Sequence, residues 1–104
     1  MKTYNKLVRD NIPQIIESSG KWCKTRILSD SEYIQQLDAK LQEELFEYLQ
    51  SGEIEELADI IEVVLALVLA KGYTLEQFDT IRKQKTLKNG AFERKLFLEW
   101  VDNK

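Results

Sequence analysis

Between Leu41 and Ala70 the chain carries eight carboxylates, Glu43, Glu44, Glu47, Glu53, Glu55, Glu56, Asp59 and Glu62, and no Lys or Arg. The flanking residues carry 10 acids and 15 bases, so a middle of charge −8 sits between flanks that sum to +5. Blocks of like charge are usually solvated tails. This one is threaded with Leu, Ile, Val and Phe, so it has to fold, and it has to fold where many carboxylates are tolerated together.

The apolar spacing says how. Ser29 and Glu32 have the reciprocal spacing of a capping box, and Ile34, Leu37, Leu41, Leu45, Tyr48 and Leu49 then recur at three- and four-residue intervals. That pattern predicts a helix to about Gln50. Ser51-Gly52 breaks it, and a further helix is expected from about Glu53 to Lys71, with Gly72 as its stop. Its second half, Ile60 to Leu69, is apolar almost all round, and such a helix needs burial on every side. One small domain of 104 residues buries only a modest core, so a homo-oligomer is expected. Ahead of these, Pro13 in a first turn capped by Asp10 or Asn11 predicts a short helix ended by Gly20. After them, Thr74 and Gln77 open a helix of about Leu75 to Lys88, with Phe78 and Ile81 inside, ended by Asn89-Gly90. Trp22 to Leu28 and Phe92 to Val101 alternate as strands do. The expected architecture is mainly α, a single domain over 1–104: four helices, an oligomeric helical core and a small two-stranded antiparallel β ribbon.

Composition excludes several chemistries. There is no histidine, which removes Ser-His-Asp and Cys-His catalysis and His-ligated metal sites. Cys23 stands alone, so no intrachain disulfide and no thiolate cluster is expected. No leader-like run opens the chain, and the longest apolar run, Val63 to Ala70, is far short of the roughly 20 residues of a membrane span. A cytoplasmic protein with no membrane partner fits. Nucleic acid is a poor partner, because no basic patch lacks an acidic neighbour.

Two carboxylate pairs bracket the Ser51-Gly52 break: Glu44-x-x-Glu47 and Glu56-x-x-Asp59. Residues three apart share a helix face, and Glu47 lies about as far before the turn as Glu56 lies after it. An antiparallel hairpin lets all four carboxylates meet. Oxygen-only ligation points to a hard cation, Mg²⁺ first and Mn²⁺ as its substitute. Mg²⁺ is usually completed by waters and substrate phosphates, the chemistry of phosphoanhydride hydrolysis. Glu43, Glu53 and Glu55 read as surface charges. Glu62, one turn beyond Asp59, is a further ligand or base candidate, or a plain surface or interface residue.

With these residues in view, the chain resembles the all-α NTP pyrophosphatase superfamily, the MazG-like and phosphoribosyl-ATP pyrophosphohydrolase-like proteins. Their Glu-x-x-Glu and Glu-x-x-Asp signature matches Glu44, Glu47, Glu56 and Asp59, within Lys40-Leu41-Gln42-Glu43-Glu44 and Glu55-Glu56-Leu57-Ala58-Asp59-Ile60-Ile61. The opening Tyr4-Asn5-Lys6-Leu7-Val8-Arg9-Asp10-Asn11-Ile12-Pro13 is similar to the start of one small branch, and Lys85 through Phe92 to its tail. The resemblance implies a four-helix MazG-like fold, assembly as a homodimer or homotetramer, and cleavage of a nucleoside triphosphate between the α- and β-phosphates to monophosphate and pyrophosphate. Such an enzyme clears nucleotide pools. Glu44, Glu47, Glu56 and Asp59 would hold Mg²⁺, with Glu47 the candidate catalytic base.

For phosphate, Arg82, Lys85 and Arg94 are the candidate contacts among a cluster with Lys83 and Lys88. The bland reading is that bases favour helix C-termini. The family pattern adds Lys6 and Arg9. Where the family tail often has Arg-Gly-Gly-Phe, this chain has Asn89-Gly90-Ala91-Phe92, which keeps the turn and loses an arginine. Trp22, Phe46, Tyr48 and Trp100 could stack on a base, although large aromatics are more often core or interface residues. Alternative readings are phosphoribosyl-ATP as the substrate, or a non-catalytic oligomeric module that binds metal or nucleotide.

Overall fold

The Ser29 hydroxyl accepts a hydrogen bond from the Glu32 N–H at 3.3 Å, while the Glu32 carboxylate accepts from the Ser29 N–H at 3.3 Å and hydroxyl at 3.1 Å. This reciprocal cap satisfies amide groups that the first helical turn would leave unpaired. It opens the longest element of the computed structural model, which describes residues 1–104. The helices are α1 (Ile12–Ser18), α2 (Asp30–Ser51), α3 (Ile54–Ala70) and α4 (Leu75–Asn89). The chain divides into two compact units, Met1–Tyr73 and Thr74–Lys104.

In the first unit, α2 and α3 form an antiparallel hairpin. Gly52 makes the reversal possible: its φ of 67° lies in the left-handed region that side chains disfavour, and its N–H still donates to the Tyr48 carbonyl at 2.8 Å. The Ser51 hydroxyl accepts from the Glu53 N–H at 3.2 Å, and α3 begins at once. Leu37 of α2 and Val63 and Leu67 of α3 form the buried cluster, with Tyr33, Leu41, Ala66 and Ala70 packed against it. Leu7, from the segment ahead of α1, joins the same cluster and pins that segment to the hairpin.

Helix α1 is seven residues long, with Pro13 in its first turn as expected, but Asn11 makes no side-chain cap. The Ile12 N–H is satisfied by the Arg9 carbonyl at 3.1 Å instead. In the second unit, Thr74 and Gln77 form the expected capping box. Phe78 is half-buried, whereas Ile81 is exposed.

The expected β ribbon is absent. Residues 22–28 form an irregular connection, with Trp22 and Ile27 exposed and Cys23 turned to the Pro13 carbonyl and Glu17. The 92–101 segment starts with a turn, in which the Lys95 N–H donates to the Phe92 carbonyl. Lys95 then takes a φ of 58°, which breaks the extended run in its middle. Alternating side chains are compatible with a strand, but a strand exists only when its backbone finds a ladder partner.

Much of the hairpin's apolar surface is left uncovered. Leu45, Phe46 and Leu49 on α2, and Ile54, Leu57 and Ile61 on α3, are all exposed. No helix is long and apolar enough to cross a membrane.

The Ser29→Ala variant is expected to lose about 1 kcal/mol of stability at neutral pH in urea unfolding. The Arg26 guanidinium, and next the Ser29 donors, hold the Glu32 carboxyl below its ordinary 4.5. A depressed folded pKa contributes stability that is complete above about 4.5 and is lost as pH falls through the depressed value. The part of the difference that comes from the Ser29 donors to Glu32 should therefore shrink on acidification; a constant difference would argue against that half of the cap.

Candidate metal centre

Helix α2 brings Glu44 to the seam of the hairpin two turns before its end, and the first two turns of α3 bring Glu56 and Asp59 opposite. One carboxylate oxygen from each of these three residues lies within 4.8 Å of the other two. An octahedral Mg²⁺ has ligands at about 2.1 Å, so its adjacent oxygens sit about 3 Å apart. The trio is a slightly open version of that spacing.

Glu44 is the unusual member. It is only 6% exposed, the one buried charged residue of the chain. Its Oε1 pairs with the Lys40 ammonium at 3.3 Å, while its Oε2 is buried with no hydrogen-bond partner. A carboxylate in that position carries a desolvation cost that a cation would offset. Burial pushes its carboxyl up, Lys40 pulls it down, and the neighbouring Glu47 adds to the rise. Glu56 is raised as well, first by burial and then by the charges of Asp59 and Glu44. The three carboxylates thus form a crowded oxygen-only cluster in which one buried oxygen lacks a hydrogen-bond partner. The donor set fits Mg²⁺ or Mn²⁺.

Glu47 lies beside the trio and not within it. It is half-buried and close enough to Glu44 and Glu56 to influence both. Glu62 is exposed, as are Glu53 and Glu55. Glu43 is more engaged than a surface charge: it accepts hydrogen bonds from Lys6 at 3.0 Å and Lys40 at 3.2 Å. Burial opposes ionisation of Glu43, yet these two ammonium groups hold its carboxyl below the usual value.

The acidic stretch thus receives its counter-charges from outside. Arg9 donates to Asp59 Oδ1 at 2.6 Å across 50 residues of sequence. Lys40 is a site neighbour that sequence reasoning passed over, although the Lys40–Glu44 spacing of four residues carries the signal. The Arg9–Asp59 pairing had no local signal at all. Arg82, Lys85 and Arg94 belong to the second unit. There Arg82 and Lys83 both pair with Asp79 at 3.0 Å, while Lys85 and Arg94 are exposed. Of the aromatic candidates, Trp22, Phe46 and Trp100 are exposed and Tyr48 is half-buried.

No family model matches the chain, and no solved structure matches it. It is similar to an uncharacterized protein of Mycolicibacterium smegmatis, 56% identical over 41 residues, which is 39% of this chain. The match spans 42% of that protein's length, less than half.

The Glu44→Gln variant is expected to be more stable than wild type without divalent cations, by about 1 kcal/mol. Its amide nitrogen can donate to the facing carboxylates where the charge could not. Thermal unfolding in EDTA checks this, and a destabilised variant would show that the Glu44 charge is structurally satisfied.

Proposed function

We propose that this chain is a MazG-like nucleotide pyrophosphohydrolase that uses Mg²⁺, or Mn²⁺ in its place, to cleave nucleoside triphosphates to monophosphate and pyrophosphate. The observation that carries the reading is Glu44, buried with one carboxylate oxygen unpartnered, and its carboxylate grouped with those of Glu56 and Asp59 across the hairpin. These three carboxylates would hold the ion. When bound, it supplies charge neutralisation of the phosphates and a lowered pKa of water. Glu47, beside the ligands and outside their trio, is then the general base, taking a proton from the attacking water. The histidine-free composition leaves acid–base work to carboxylates, Lys, Tyr or metal-bound water, and Glu47 is the carboxylate beside the trio.

The test is a panel of NTPs, dNTPs and phosphoribosyl-ATP, with and without Mg²⁺, read by pyrophosphate release. Release that depends on Mg²⁺ is expected. Glu56→Gln and Asp59→Asn should each lower turnover by roughly 100-fold or more, the scale of several kcal/mol of lost charge stabilisation. Cation binding without release from any substrate would instead identify a non-catalytic binding module, and unchanged turnover in both variants would sink the site.

The same reading includes assembly as a homodimer or homotetramer. Ile54, Leu57 and Ile61 recur at helical spacing on α3, as do Leu45 and Leu49 on α2, and all are exposed in the single chain. A second copy covering these stripes would bury the apolar surface that one small domain cannot. Ile61→Glu should convert the oligomer to a monomer in light scattering; a wild-type monomer at micromolar concentration would exclude this assembly.

A further inference from the structure

Arg9 is held at both of its backbone ends. Two residues before it, Leu7 is packed into the α2–α3 cluster, and its own carbonyl accepts the first N–H of α1. Lys6 adds a second tether, its ammonium 3.0 Å from Glu43. The Arg9 side chain is different: its outer half is in solvent, 54% exposed, and its one ion pair is with Asp59, a member of the carboxylate trio. The side chain can leave Asp59 without disturbing any packed residue, while its backbone stays at the rim of the site.

We propose that Arg9 is a displaceable counter-charge for the carboxylate site, bound to Asp59 while no cation is present and released to a phosphate-bearing ligand when a divalent cation binds. The proposal rests on the cation-site reading given above, in which Glu44 is more than nine-tenths buried with one carboxylate oxygen unpartnered. A guanidinium and a divalent cation on the same carboxylate repel one another, so binding of one weakens the other. Lys40 cannot play this part. It is mostly buried and bridges Glu43 and Glu44 from the same helix, so it stays. Arg9 can exchange because half-exposed ion pairs are weak, commonly under about 1 kcal/mol. Once freed, its planar fork matches a phosphate in a way an ammonium does not.

Mn²⁺ is titrated calorimetrically into the full chain as wild type, Arg9→Gln, Arg9→Lys, Glu44→Gln and Arg26→Gln, the last removing one positive charge away from the carboxylate trio. Pyrophosphate is then titrated into each cation-saturated protein. Arg9→Gln is expected to bind Mn²⁺ about two- to five-fold more tightly than wild type, the range that loss of an exposed ion pair allows. It should bind pyrophosphate at least about five-fold more weakly. Arg26→Gln should leave both unchanged, and Arg9→Lys should keep wild-type Mn²⁺ affinity while losing part of the pyrophosphate affinity. Unchanged or weaker Mn²⁺ binding in Arg9→Gln, with binding lost in Glu44→Gln, would overturn the exchange and leave the cation site standing. Tighter Mn²⁺ binding with unchanged pyrophosphate affinity would also overturn it, since the freed guanidinium would then have no ligand. Absence of Mn²⁺ binding in both wild type and Arg9→Gln would remove the site itself and the proposal with it.

Discussion

The packing of Leu37 against the face of α3 that carries Val63 and Leu67 holds the rest of the arrangement in place. That small apolar cluster sets α2 beside α3, and the carboxylates meet only because it does. Glu44 lies seven residues, two turns, beyond Leu37 on the same helix, so the contact that buries Leu37 also carries Glu44 into the seam. The same contact receives Leu7, which brings Lys6 and Arg9 to the acidic face. A modest core therefore places both signs of charge. Its small size has a second consequence, because much of the remaining apolar surface of the hairpin is left exposed.

Glu44 carries a local cost in stability. Burying a carboxylate with one satisfied and one unsatisfied oxygen costs free energy, and the hairpin bears that cost close to its turn. Lys40 offsets part of it and Arg9 neutralises a neighbour, but neither reaches Glu44 Oε2. Compensation elsewhere is visible at the helix starts, where α2 and α4 both carry complete capping boxes. The strained electrostatics are confined to the seam, and the local structure around it follows ordinary rules.

The ion pairs around the carboxylates differ in how far they are buried. Lys40 is mostly buried and shared between Glu43 and Glu44, a geometry that leaves it little freedom. The Arg9–Asp59 pair is short but half in water, where screening makes it weak in spite of its 2.6 Å distance. Distance alone would put the Arg9–Asp59 pair first. Exposure ranks them the other way, because solvent competes more for a guanidinium at the rim than for an ammonium in the seam.

The helices were legible in the sequence because their causes are local. Ser29 with Glu32, Thr74 with Gln77, and the glycine at 52 act over a few residues, and apolar spacing marked Leu37 and Leu41 on the inward face of α2, though Leu45 and Leu49 of the same stripe stay exposed. Those same spacings predicted that Glu44, Glu47, Glu56 and Asp59 meet across a hairpin, and the cluster gathers three of them, Glu44, Glu56 and Asp59. The β ribbon was misread because alternation at 22–28 and 92–101 reports only what a strand's side chains would look like; whether a backbone ladder forms is a question of partners far away in the chain. Tertiary structure alone decided that Glu44 is buried with a free oxygen, that Glu47 stands beside the trio, and that Arg9 reaches Asp59. Each of these depends on how tightly two helices pack and where a distant arm crosses them, and no spacing within thirty residues encodes that.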